Sequence, residues 1–309
     1  MQKEIVIAMN CNRETGVCEI NQPAREPVGG GGKKAIKLLY FTDPICSSCW
    51  GIEPQLRKLK QEYGDYFDID YRMGGLLKSW SEYGGSDVNG PQSVAQHWEE
   101  ASAFYQMPID GDVWNEEPLH SSYPPAMAFK AAGLQGSANA DRFLRRIKEM
   151  VFLEKKNITK LEHLMQAASD AGLDTVQFEH DYLHKAQPLF EDDLVMARAW
   201  GVRGFPTIYF IDEDDNRFKV YGSKPYGVYE EALLKLLSGE VQKNKPSSHE
   251  AIFESYDTVT LKEFAVFYDI GMEEAEVILH RLEQQKKVER RISKPGALWK
   301  VANEKLVQL

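Results

Sequence analysis

Three hundred and nine residues, 43% hydrophobic and 27% charged, suit a globular chain of about two domains and exclude wholesale disorder. Lys and Arg total 37 against 47 Asp and Glu, a net charge of −10 that repels nucleic acid and anionic lipid in bulk. No apolar run approaches the roughly 18 residues of a membrane span, and Ile5 to Met9 is too short an apolar stretch for a signal peptide. The expectation is a cytosolic protein that binds neither nucleic acid nor membrane.

In chain order, residues 3–9 alternate loosely and read as a strand, residues 12–16 as a turn, and Val17 to Ile20 as a return strand. This predicts a hairpin within residues 1–22, with Cys11 and Cys18 on opposite arms. Residues 23–34, with Gly29 to Gly32 in a row, can build no core and read as a flexible tether. The main domain spans residues 35–238. It opens on the apolar strand Ile36 to Phe41, passes through Thr42-Asp43-Pro44-Ile45, and enters a helix at Cys46 that runs to about Tyr63. Pro54 is placed to kink that helix. Tyr66 to Arg72 is a second strand, and residues 88–200 are helical by their 3.6-residue spacing. Strands at Thr207 to Ile211 and Arg217 to Tyr221 and a helix at Val228 to Leu237 close the domain. That order predicts an α/β thioredoxin-like fold with a helical insertion. After a polar linker at 239–250, residues 251–309 show two short helices and a two-stranded wing, the order of a small winged-helix-like module.

The four cysteines, Cys11, Cys18, Cys46 and Cys49, all lie in the first sixth of the chain, which suits redox chemistry or metal binding better than a disulfide scaffold. Cys46-Ser47-Ser48-Cys49 follows a strand and opens a helix. Unpaired N–H groups there favour a thiolate, so Cys46 is the expected nucleophile and Cys49 the resolving thiol. Half of a zinc site is the competing reading of the same spacing. Gly204-Phe205-Pro206-Thr207 precedes the third strand, where Pro206 suits a cis bond and Phe205 presents an apolar face to an extended peptide. Asp43 is a candidate proton acceptor or plain turn chemistry, and Trp50 either lines the substrate groove or packs in the core. Cys11 and Cys18 read as a hairpin disulfide or second redox pair, as part of a four-cysteine zinc site, or as idle thiols. His180 and His184 sit at i, i+4 but without further ligands read as a solvated face. No metal or organic cofactor is expected.

Asp43-Pro44-x-Cys46-x-x-Cys49-Trp50, Met73-Gly74-Gly75-Leu76, the helical insertion and Gly-Phe-Pro-Thr together resemble the DsbA-like thioredoxin family, and within it the FrnE-type cytosolic disulfide isomerases. The resemblance covers roughly residues 36–238 and implies thiol–disulfide exchange on protein or peptide substrates, with Pro206 in substrate contact. A second resemblance rests on Asp112-Val113-Trp114 through Pro118-Leu119, Ala128 to Gly136, Lys155 to Thr159 and Gly296-x-Leu298-Trp299-Lys300. These segments are similar to the adaptor family that delivers the regulator Spx to the ClpXP protease, which shares the fold and acts by binding. That family's N-terminus is rich in histidine and cysteine and associated with zinc, whereas Cys11 and Cys18 have no neighbouring histidine. The dithiol and Pro206 favour an oxidoreductase, with the non-catalytic adaptor as the alternative. In the C-terminal module, residues 245–309 carry 10 Lys and Arg against 11 Asp and Glu, and its second helix opens with acids. This disfavours DNA and points to protein contact.

Overall fold

The computed structural model describes residues 9–11, 17–20, 34–83 and 90–302. In chain order these form β1 Met9–Cys11, β2 Val17–Ile20, β3 Ile36–Thr42, α1 Ser47–Gly51, α2 Glu53–Tyr63 and β4 Phe67–Met73. The insertion carries α3 Pro91–Tyr105, α4 Val113–Glu116, α5 Tyr123–Gly133, α6 Ser137–Leu153, α7 Leu161–Asp170, α8 Thr175–His184 and α9 Ala186–Ala199. β5 Thr207–Ile211, β6 Arg217–Tyr221 and α10 Tyr226–Leu234 complete the domain. α11 Ala251–Ser255, β7 Thr258–Thr260, α12 Leu261–Tyr268, α13 Met272–Gln284, β8 Val288–Ser293 and β9 Gly296–Val301 follow.

The sheet order is β1-β2-β6-β5-β3-β4, with β3 and β4 parallel and β3, β5 and β6 antiparallel in sequence. β3 is buried on both faces, which is why it reads as a nearly unbroken apolar run. Ile36, Leu38 and Tyr40 pack beneath α2 and α10, while Leu39 and Phe41 meet the α9 side. The thioredoxin-like α/β expectation is borne out. The expected single helix is instead two: α1 ends at Gly51, Ile52 bridges, and Pro54 sits in the first turn of α2, where a missing N–H costs nothing.

The N-terminal hairpin is joined to the sheet rather than held apart. β2 pairs antiparallel with β6, Cys18 opposite Lys219, covering what would otherwise be an open edge. Residues 3–8 of the expected first strand and most of the tether lie outside the described residues. Residues 251–302 have a core of their own around Ile252, Phe264, Leu279 and Trp299, with a three-stranded sheet in the order β7-β9-β8.

The insertion is tied to the sheet through Asp193 of α9, whose side chain is fully buried. It accepts hydrogen bonds from Lys130 Nζ of α5 at 2.7 Å, Arg72 Nη1 of β4 at 3.1 Å and the Met73 N–H at 2.9 Å. Removing one member of such a cluster leaves the other charges buried and unpaired. Asp193→Ala should therefore cost about 3–5 kcal/mol of stability, measured as a lowered midpoint in urea unfolding.

Candidate functional site

Cys46 caps α1 with its side chain: the Cys49 N–H donates to the Cys46 Sγ at 3.1 Å, and the Cys46 N–H donates to the Asp43 carbonyl at 3.1 Å. Both thiols are free; Cys46 keeps 5% of its surface exposed and Cys49 none. Burial pushes the Cys46 thiol up, reinforced by its hydrogen bond to Cys49. Burial also works against ionisation of Cys49, but the hydrogen bond from Cys46 and the Lys148 ammonium prevail and lower that thiol. The two thiols titrate as a coupled pair, the first proton leaving below the ordinary thiol value and the second well above it. The helix terminus that favours a Cys46 thiolate is opposed by the burial of that thiol.

Lys148 was not singled out in the sequence. It comes from α6, is wholly buried, and pairs with Glu53 Oε1 at 2.7 Å, one turn beyond Cys49 on the active-site helix. Nothing in the amphipathic pattern of α6 distinguishes this lysine from a solvated one. On β3 beneath the helix, the Tyr40 hydroxyl and Thr42 Oγ1 are buried without a hydrogen-bond partner among the described residues.

Asp43 is fully buried, and both of its carboxylate oxygens are engaged. Oδ1 accepts the Ile45 N–H at 3.1 Å, and Oδ2 accepts the Leu76 N–H at 2.7 Å and the Ser122 hydroxyl at 2.8 Å. It therefore clamps the dithiol loop to the end of β4 and to the insertion. Trp50 is also fully buried. Its Nε1–H donates to the Pro108 carbonyl at 3.0 Å, Phe152 stacks on it at 5.5 Å between centroids, and the Arg145 guanidinium lies 4.4 Å from its ring centre. The groove-lining expectation for Trp50 is corrected: the indole is part of the insertion's core, because its hydrogen-bond partner and its ring partners all lie there.

The Phe205–Pro206 peptide is cis. The Phe205 ring occupies the space over Gly74, where an added Cβ would come within 2.0 Å of it. Gly222 N–H donates to the Pro206 carbonyl at 2.8 Å, while the backbone N–H and C=O of Phe205 have no partner among the described residues. A cavity of about 270 Å³ opens beside these groups, lined by Cys46, Leu76, Trp80, His97, Trp114 and Phe205. His97, from α3, is another residue the sequence left unmarked, since a lone exposed histidine carries no pattern. Tyr105, also from α3, donates its hydroxyl to Ser48 Oγ at 3.0 Å. A larger cavity of about 530 Å³ lies between α2, α6 and residues 254–258 and contains no thiol.

Cys11 and Cys18 are cross-strand partners in register. β2 stands three strand spacings from β3, about 14 Å. His180 and His184 are both exposed, their rings 4.9 Å apart. Among the described residues, the one trio of acids placed to hold a metal ion is Glu99, Asp110 and Asp112. The Lys294 ammonium lies among them, 2.6 Å from Asp112 and 3.6 Å from each of the others. Arg291 likewise pairs with Glu154 at 2.9 Å. Two cations of the two-stranded wing are thus paired with acids of the insertion rather than offered to a phosphate backbone.

A sequence model of the family described as thioredoxin matches residues 39–231. The chain belongs to the thioredoxin family. The protein named ClpXP adapter protein SpxH from Halalkalibacterium halodurans is 36% identical over 297 residues, covering 94% of this chain and 96% of that one. The protein of the same name from Bacillus subtilis is 35% identical, covering 88% and 91%. Among solved structures, the cytosolic disulfide reductase DsbM from Pseudomonas aeruginosa superposes with a TM-score of 0.53 at 21% identity over 65% of this chain and all of that one, a likeness of fold. Both resemblances read from the sequence, to DsbA-like proteins and to the Spx adaptors, are borne out.

Burial raises the Asp43 carboxyl to about 6, against the pull of its three donors and of Lys148. The folded protein then holds this proton where the unfolded chain has released it, so stability falls as pH rises from the ordinary carboxylate value to about 6. The contribution is roughly 3 kcal/mol. Asp43→Asn should flatten that part of the curve, checked by urea unfolding of both proteins across the acid range.

Proposed function

We propose that this protein is a cytosolic adapter that binds a regulatory client on the face around Cys46 and presents it to a ClpXP-type protease. The observation that carries the reading is the extent of the similarity to the proteins named ClpXP adapter protein SpxH, which runs through the thioredoxin domain and the C-terminal module alike. The site suits binding. Phe205 offers a backbone edge that is unpaired among the described residues to an extended segment, and the aromatic cavity beside it can take a large apolar side chain.

Thiol–disulfide exchange is the second reading, favoured by the complete dithiol facing the cis Pro206 loop. In that chemistry the Cys46 thiolate attacks a substrate disulfide and releases one substrate thiolate. The Cys49 thiolate then attacks the mixed disulfide at Cys46, releasing the second thiolate and leaving a Cys46–Cys49 bridge. Two electrons pass to the substrate.

Reconstitution with a ClpXP-type protease and an Spx-type client separates the two. The wild-type protein should accelerate client degradation, and Cys46→Ser should preserve that rate to within about twofold while abolishing exchange with a fluorescent disulfide peptide. Phe205→Ala should weaken client binding about tenfold or more if the aromatic ring anchors the client. A wild-type protein without effect on degradation would sink the adapter reading.

A further inference from the structure

Glu263 belongs to the C-terminal module, yet its side chain is completely buried and most of its bonds leave that module. Within α12 it closes a capping box: Thr260 Oγ1 accepts the Glu263 N–H at 3.2 Å, and Glu263 Oε2 accepts the Thr260 N–H at 2.7 Å. A glutamine could serve that purpose. The charge is matched elsewhere. Arg145 of α6 donates to both carboxylate oxygens, at 2.7 and 3.1 Å, and Arg57 Nε of α2 lies 3.2 Å away.

Both arginines lead to the dithiol. Arg57 is on α2, the helix that follows the dithiol's α1, where it also donates to the Thr258 carbonyl at 2.7 Å and lies over the Tyr256 ring. Arg145 bonds Glu149 at 2.6 Å and covers the ring of Trp50, the residue that follows Cys49. Burial and the neighbouring charge of Arg145 lower the basicity of Arg57, the sign of two guanidinium groups held together by one carboxylate. Burial opposes ionisation of Glu263, but Arg145 and Arg57 together hold it below the ordinary carboxylate range.

We propose that the C-terminal module acts on the dithiol from outside its cavity: Glu263 holds Arg145 on Trp50 and neutralises the two guanidinium groups on α2 and α6, so that module docking and thiol reactivity are linked. Removing the negative charge leaves the Arg57 and Arg145 charges unbalanced, on α2 and on the ring of Trp50 next in chain to Cys49, and that added positive charge favours the thiolate. Linkage is reciprocal, so a change in the state of the dithiol must also change how firmly α12 is held. The inference goes beyond the adapter reading and requires neither a client nor exchange activity.

The test is alkylation of Cys46 in the full-length protein by iodoacetamide, followed peptide by peptide in a mass spectrometer across a range of pH. Glu263→Gln keeps the capping box and removes the charge. It should raise the neutral-pH rate several-fold and move the midpoint of the profile to lower pH. Lys294→Ala loosens the wing from its acids without touching α2 or Arg145, and should stay within about twofold of wild type. An unchanged profile in Glu263→Gln, with the 239–250 linker newly open to protease, would overturn the proposal. An equal rise in both variants would also overturn it, since loss of cover would then suffice. Hydrogen exchange of the unaltered protein guards against a misfolded variant: α12 amides should change protection between the dithiol and its diamide-oxidised form, and identical protection would refute the linkage. Client degradation does not enter these measurements, so the adapter reading fails or stands separately.

Discussion

A carboxylate taken out of water must meet donors or cations where it sits, because its desolvation costs several kcal/mol that nothing else recovers. The parts of this chain are joined at three such carboxylates. Asp193 joins β4, α5 and α9, Asp43 joins the dithiol loop to β4 and the insertion, and Glu263 joins the C-terminal module to α2 and α6. Apolar packing supplies the bulk of the burial, but each of these groups accepts one arrangement of its neighbours and rejects the rest. The positions of the insertion and of the module relative to the active-site helix follow from that demand.

The dithiol therefore sits where the sheet, its flanking helices and the insertion meet. β3 leads into it, α1 and α2 carry it, α6 sends Lys148 and Arg145 toward it, and α3 supplies Tyr105 and His97. Two nearly enclosed sulfurs, one of them lowered by its neighbours, suit a nucleophile, and the Phe205 backbone, unpaired among the described residues, with its aromatic cavity suits a bound polypeptide. Exchange and adapter function thus draw on the same surface, which is why the fold alone does not separate them.

The C-terminal module illustrates how a charge pattern changes meaning once folded. Lys294 and Arg291 are two cations of the two-stranded wing, and in the structure they meet acids of the insertion. Glu263 looks like an ordinary capping residue, since its three-residue spacing from Thr260 fully explains it. Its second role depends on two arginines more than a hundred residues away in sequence, at positions 57 and 145.

What the sequence determined by itself is what short-range physics encodes. Apolar periodicity placed β3 to β6 and the insertion helices, and Pro54 marked the helix break. The Cys-x-x-Cys spacing and Gly-Phe-Pro-Thr located the thiols and the facing loop, and the motif segments reached both families. Tertiary structure alone decided which distant charges meet: Lys148 with Glu53, Glu263 with Arg57 and Arg145, Asp43 with Leu76 and Ser122, and the hairpin with the edge of β6. It also decided between the two readings of Trp50, which packs in the core. The reason is that periodicity tells which face of an element is buried, whereas the partner that a buried charge or indole finds there is set by the packing of the whole chain.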